Sequence, residues 1–105
     1  MKKWEKLQWY VARKLNQLGI KARPTKASGA STELGDVLND SFLVECKQRS
    51  TKNITIDLAT WEKNKALLPI NSKRIPILVL ENKEVKRFVV LDTDDFFDIL
   101  KNWIK

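Results

Sequence analysis

The sequence predicts an α/β domain with a central mixed β-sheet flanked by helices, and three features carry that prediction. Apolar residues recur at helical spacing near the N-terminus (Trp4, Leu7, Val11, Leu15, Leu18). Residues 34–48 alternate about an Asn-Asp pair as a hairpin does, and a helical stretch of crossover length separates them from a further apolar strand. With 105 residues, 43% of them hydrophobic, the chain has enough apolar side chain for one core, so residues 1–105 are expected to form a single domain.

The first helix spans residues 2–18, and Gly19 is its stop. Its polar side carries Lys6, Arg13, Lys14 and Gln17, a solvated face that also offers Arg13 and Lys14 to phosphates. Residues 20–23 (IKAR) read as a short strand and residues 24–35 as a loop rich in Ser, Thr, Gly and Pro. The hairpin then places strands at 34–38 and 41–48 on either side of Asn39 and Asp40. Residues 56–68 form the second helix, ended by Pro69. A strand at 75–81 follows, with Pro76 suited to a strand start or an edge. A polar turn around Asn82 and Lys83 leads to the strand VKRFVVL, and Thr93 caps a last helix with aspartates in its first turn and lysines toward its end. The helical crossover lets the strand at Ile75 lie parallel beside the strand at Val44.

Charge and composition narrow the function. Twenty Lys and Arg against thirteen Asp and Glu give a formal charge of +7 and a pI near 9.7, a field that attracts polyanions, nucleic acid first among them. The chain has no histidine and one cysteine, Cys46, which excludes an internal disulfide, a zinc site and histidine-based catalysis. Any metal here takes oxygen ligands. The N-terminal MKKWEKLQWY lacks the apolar run of a signal peptide, and no segment approaches the roughly 20 apolar residues of a membrane span, so a cytoplasmic or otherwise intracellular protein with no membrane partner is expected, virus-encoded origin included.

The chemistry concentrates in GDVLNDSFLVECKQR, residues 35–49. If Asn39 and Asp40 make a two-residue turn, Leu38 faces Ser41 and Asp36 faces Leu43, and alternation puts Asp36, Leu43, Glu45 and Lys47 on one side of the sheet. Phe42, Val44 and Cys46 point to the other. Asp36 and Glu45 then stand as diagonal neighbours, about 7–8 Å apart along the backbone, within reach of one hard cation. Two adjacent carboxylates repel unless one keeps its proton or a divalent ion lies between them. Magnesium, with manganese as the alternative, suits that donor set, and Lys47 supplies a fixed positive charge for a phosphate. Such a site hydrolyses phosphodiesters.

The Asp of Gly35-Asp36-Val37 followed by Glu45-Cys46-Lys47 on the next strand resembles the signature of the PD-(D/E)XK nuclease superfamily, and most nearly the small archaeal and phage Holliday junction resolvases. The resemblance covers most of the chain, from the helix ending at Gly19 through the Ser28-Gly29 loop and the hairpin to IPILVLE. It implies a restriction-endonuclease-like αβββαβ core and a homodimer that cuts paired strands of branched DNA with magnesium or manganese. It implies Asp36 and Glu45 as metal ligands and Lys47 as the catalytic lysine. Gly35 stands where the superfamily has its proline. The resolvases carry a glutamate on the first helix, eleven residues before the glycine, where this chain has Gln8. Gln8 lies about 60° from the centre of the apolar stripe, and its amide is the first candidate to complete the site, with Glu5 one turn earlier as the acidic alternative.

Plainer readings stand beside these. Glu-x-Lys on a strand also occurs as a solvated cross-strand pattern. Arg23, Lys26 and Ser28 belong to a basic loop able to close on a DNA backbone, while Ser28 is also an ordinary loop residue. Asp92, Asp94, Asp95 and Asp98 compensate a helix dipole rather than bind metal. Trp4, Trp9, Trp61 and Trp103 are core or interface anchors, with Trp9 opposite the buried stripe. Two alternatives to a junction resolvase remain: a related nuclease acting on single-stranded, nicked or flap DNA, and a non-catalytic nucleic-acid-binding module of the same fold.

Overall fold

A computed structural model describes residues 1–25 and 34–104. The described chain runs α1 (Lys3–Gln17), β1 (Arg23–Pro24), β2 (Val37–Leu38), β3 (Phe42–Gln48), α2 (Leu58–Lys65), β4 (Ile75–Glu81), β5 (Arg87–Val90) and α3 (Thr93–Trp103). Five strands form one mixed sheet in the order β1-β2-β3-β4-β5. Only β3 and β4 run parallel, with Val44 beside Ile77; the other neighbours are antiparallel. The predicted α/β class is therefore observed, and the first six elements follow the order α-β-β-β-α-β. Among the described residues, no helix is long and apolar enough to cross a membrane.

The two helices on either side of the sheet are placed by their apolar stripes. Leu7, Val11, Ala12 and Leu15 of α1 bury against Val37, Val44, Ile77 and Val79. On the opposite face Trp61 of α2 packs on Leu78 and Leu80, with Ile54 and Val90 at its margin. Each of the Val, Leu and Ile side chains among these gains about 1.5–3 kcal/mol by leaving water. The start of α1 is closed by Glu5, whose Oε1 accepts the Lys2 N–H at 3.3 Å. Its end is a left-handed stop: Gly19 has φ +85°, its N–H bonds the Asn16 carbonyl, and the Ile20 N–H bonds that of Leu15.

Several boundaries differ from the sequence reading. The short strand is Arg23–Pro24 rather than residues 20–23. α2 starts later and ends sooner, because Asp57 caps it by accepting the Ala59 N–H at 3.0 Å, leaving Ile56 outside. The N-cap of α3 is Asp92, one residue before Thr93. Pro76 is the second residue of an interior strand, where its missing N–H falls at the strand start. The turn after β4 is wider than an Asn-Lys pair: buried Asn82 accepts the Glu84 and Lys86 N–H groups on Oδ1, and β5 starts at Arg87. Of the four tryptophans Trp61 alone is buried; Trp4, Trp9 and Trp103 are exposed.

The most consequential difference is the hairpin register. Val37 pairs with Val44, so the register is shifted by two residues from a two-residue turn. Asn39 is the cause: nearly inaccessible, it accepts the Ser41 and Phe42 N–H groups on Oδ1 (2.9 and 2.7 Å) and donates Nδ2 to the Val37 carbonyl at 3.0 Å, closing a wider loop. A shift of two keeps every side chain on its predicted face. Past Val37 the ladder is irregular, since the Asp36 N–H also bonds the Val44 carbonyl and the Cys46 N–H is taken by the Asp36 side chain.

Candidate active site

The site forms where the chain enters the hairpin. Gly35 has φ +79°, and a Cβ built there would stand 2.8 Å from the Val44 carbonyl oxygen and 3.2 Å from Leu43 Cδ1. Proline, whose ring holds φ near −65°, cannot occupy that conformation, which is a physical reason for glycine where the resemblance has proline. The tight approach lets the Asp36 N–H bond the Val44 carbonyl at 2.7 Å. From the other side Thr25 of the β1 edge donates its N–H to the Asp36 carbonyl and its hydroxyl to the Gly35 carbonyl, both at 3.0 Å. The Asp36 carboxylate is fixed as well, since Oδ2 accepts the Cys46 N–H at 2.7 Å.

Glu45 and Lys47 follow on β3, on the sheet face that carries Leu78, Leu80 and α2, because their partners across the parallel ladder are Leu78 and Leu80. Glu45 is half-buried, and burial first and the Asp36 charge second push it up to about 7, with Lys47 pulling the other way. The Cys46 thiol is raised too, by burial and then by the charges of Asp36 and Glu45. The predicted convergence of Asp36, Glu45 and Lys47 is thus observed. Two carboxyl groups held this close are a donor set that a hard divalent cation fits. Among the described residues no group of three or more Asp, Glu, Cys or His side chains gathers in a metal-holding arrangement, so the pair would bind such an ion together with water or phosphate oxygens.

The remaining candidates lie elsewhere. α1 packs on the face that carries Val44 and Val37, across the sheet from Glu45 and Lys47. Gln8 is half-buried on that helix, and among the described residues no hydrogen bond joins it to Asp36, Glu45 or Lys47. Glu5 is engaged at the helix start. Arg13 and Lys14 are exposed on the same helix, Lys14 standing 5.6 Å from the Tyr10 ring centre, and so belong to the layer away from the carboxyl pair. Arg23, exposed on β1, pairs with Leu38 and shares the side of the sheet that carries the site. Lys26 and Ser28 fall outside the described residues. Gln48 pairs with Glu81 and alternates away from the site.

Sequence reading missed the flank of the site beyond Lys47. Lys47 and Arg49 border a cleft of about 170 Å³ whose floor is Trp61, Leu78 and Leu80 and whose rim includes Thr60 and Asn64. The signal for Arg49 was present, since the alternation that carries Glu45 and Lys47 continues to it. The helix residues carried none, because only the placement of α2 brings them there.

No protein-family model matches the chain, and no curated protein is similar enough to match.

Proposed function

We propose that this protein is a divalent-metal-dependent DNA endonuclease of the PD-(D/E)XK kind, a structure-selective enzyme that hydrolyses phosphodiester bonds in branched DNA as a Holliday junction resolvase does. The observation that carries the reading is the Asp36–Glu45 carboxyl pair, with Asp36 Oδ2 fixed by the Cys46 N–H at 2.7 Å and Lys47 on the same sheet face as Glu45. Asp36 and Glu45 would hold the ion, magnesium or manganese. That ion, when bound, supplies acidity to a coordinated water and offsets charge on the phosphate. Asp36 arrives oriented by the Cys46 N–H and needs no rearrangement to serve as a ligand. Lys47 sets a positive charge beside a phosphate placed at the pair and stabilises the extra negative charge of the pentavalent transition state. The formal charge of +7 brings the DNA to the surface.

A two-fold dimer suits a junction, and a surface is open for one. α3 carries Phe96, Leu100 and Trp103 at helical spacing, yet none of its residues is buried. Phe97 is 59% exposed, Trp103 77% and Phe88 of the edge strand β5 50%. Those three aromatics alone leave on the order of 350 Å² uncovered. Together with Phe96 and Ile104 they supply a large part of the ~800 Å² per partner that a stable interface requires. A second copy of the chain is the partner that this surface fits.

The test is incubation with four-way junction, duplex and single-stranded DNA, with and without Mg²⁺, beside Asp36→Asn and Lys47→Ala. Paired symmetric cuts that need Mg²⁺ and vanish in both variants are expected. Indiscriminate cutting assigns the fold to another DNA substrate. Metal-independent binding without cleavage assigns it to a non-catalytic binding module, the reading favoured by Gln8 standing where the resolvases carry a glutamate.

A further inference from the structure

The cleft beyond Lys47 has the chemistry of a nucleotide site. Its floor is apolar and rigid: Trp61, Leu78 and Leu80 are buried, and the Trp61 ring is locked by an Nε1–H bond of 3.1 Å to Asp92 Oδ1. Lys47 and Arg49 lie at one side, one strand repeat or about 6.6 Å apart, and neither is held in an ion pair among the described residues. At the rim, half-buried Asn64 makes no side-chain hydrogen bond among the described residues, which leaves its amide donor and acceptor for a ligand. The volume of about 170 Å³ is that of roughly five or six waters, the scale of one nucleobase. Asp57 also lines the cleft, its carboxylate engaged by the Ala59 N–H and the Thr60 hydroxyl. An apolar slot with two cations on one flank and a free amide at its edge matches a base attached to a phosphate chain, and an asparagine amide pairs with the N6 and N7 edge of adenine.

We propose that this cleft takes up one unstacked base of the bound strand, next to the phosphate held at Asp36, Glu45 and Lys47, so that the protein selects DNA with an unpaired or easily unpaired nucleotide beside the bond to be cut. The inference rests on the nuclease reading for its location and deepens it by naming the feature selected. A base inside a duplex would have to leave its stack to enter, whereas branch points and single strands offer one at little cost.

Two hexamers test it in the absence of metal: a fully abasic sugar–phosphate strand, and the same strand with one adenosine. The adenosine is expected to tighten binding about tenfold or more and to move the Trp61 indole N–H resonance, while the abasic strand leaves that resonance in place. Asn64→Trp, which plugs the cleft, should make the two hexamers bind equally, and the wild-type comparison stands whether or not that variant folds. Equal binding of both hexamers by the wild type, with Trp61 unmoved, overturns the proposal even if Mg²⁺-dependent cleavage is seen. Base-dependent binding with no cleavage under any condition upholds the cleft and overturns the nuclease reading instead.

Discussion

Gly35→Ala is the sharpest probe of how the chain builds the site. Among the described residues two glycines have positive φ, and their surroundings differ: a Cβ at Gly19 meets nothing within 4 Å, whereas at Gly35 it meets the Val44 carbonyl at 2.8 Å. The backbone cost of a left-handed alanine, about 1–2 kcal/mol, is common to both. At Gly35 the contact must also be relieved by moving backbone that carries the Asp36–Val44 hydrogen bond, adding on the order of 1–2 kcal/mol for a weakened buried bond. We expect G19A to destabilise by about 1–2 kcal/mol and G35A by about 2–4 kcal/mol. Urea unfolding followed by far-UV circular dichroism reads the difference, a further drop in midpoint of roughly 1 M at a slope of about 1–2 kcal/mol/M. Folded G35A should also bind Mg²⁺ more weakly, because Asp36 moves with the backbone. Equal losses in the two variants would refute the idea that close approach at Gly35 aims Asp36.

Glu45 gives a pH dependence of definite sign. Its folded value near 7 lies above the ordinary 4.5, so between those values the folded chain holds a proton that the unfolded chain has lost. The contribution of Glu45 to stability of the metal-free protein should therefore grow as pH falls from about 7 to 4.5 and disappear above 7. Asp36→Asn should lower the Glu45 titration, followed by carboxyl ¹³C NMR, but leave it above 4.5, since burial is the larger cause. Mg²⁺ affinity should weaken as pH drops below 7, up to about tenfold per unit, with proton release measurable by calorimetry in buffers of different ionisation enthalpy. Asp92→Ala removes the partner of both Trp61 Nε1 and Lys65 Nζ and should destabilise by about 1–2 kcal/mol in thermal unfolding. Trp103→Glu should shift the sedimentation behaviour from dimer to monomer while leaving the fold unchanged, since that side chain is exposed in the single chain.

What the sequence made legible was periodic. The α1 stripe, the alternation along β3 and the crossover before β4 each follow from the spacing of apolar residues, and together they assign the sheet faces. The three charges of the site were legible for the same reason, because a face depends only on parity. The pairing partner was not. That Val37 rather than Leu38 begins the pairing with β3, opposite Val44, depends on the three hydrogen bonds of the Asn39 side chain, and composition cannot distinguish them from a two-residue turn. The layer of α1 was equally hidden: Gln8 has a suitable angle on the helical wheel, but that angle says nothing about which side of the sheet the helix covers. Arg13 and Lys14 follow it to the far layer. α3 reads as an amphipathic helix, yet no sequence pattern tells whether its apolar side meets its own sheet or another molecule.

The treatment of two acids separates structural from chemical use of charge. Glu81 is 4% exposed, and the chain answers it with Arg87, whose Nε donates to Glu81 Oε2 at 2.8 Å while the guanidinium stacks 4.0 Å from the Tyr10 ring centre. The buried acid is thus met by a cation, and that cation is packed in turn. Glu45, on the other face of the same sheet, has a second carboxyl group as its near neighbour. The backbone around Gly35, the Thr25 bonds and the Cys46 N–H all act to hold Asp36 there, against the repulsion between the two acids. A fold that needed only a stable strand would be better served by a neutral residue at either position. An arrangement that local bonds enforce and electrostatics opposes is the expected form of a site awaiting a cation, and it is why the carboxyl pair, rather than the basic surface as a whole, supports the nuclease reading.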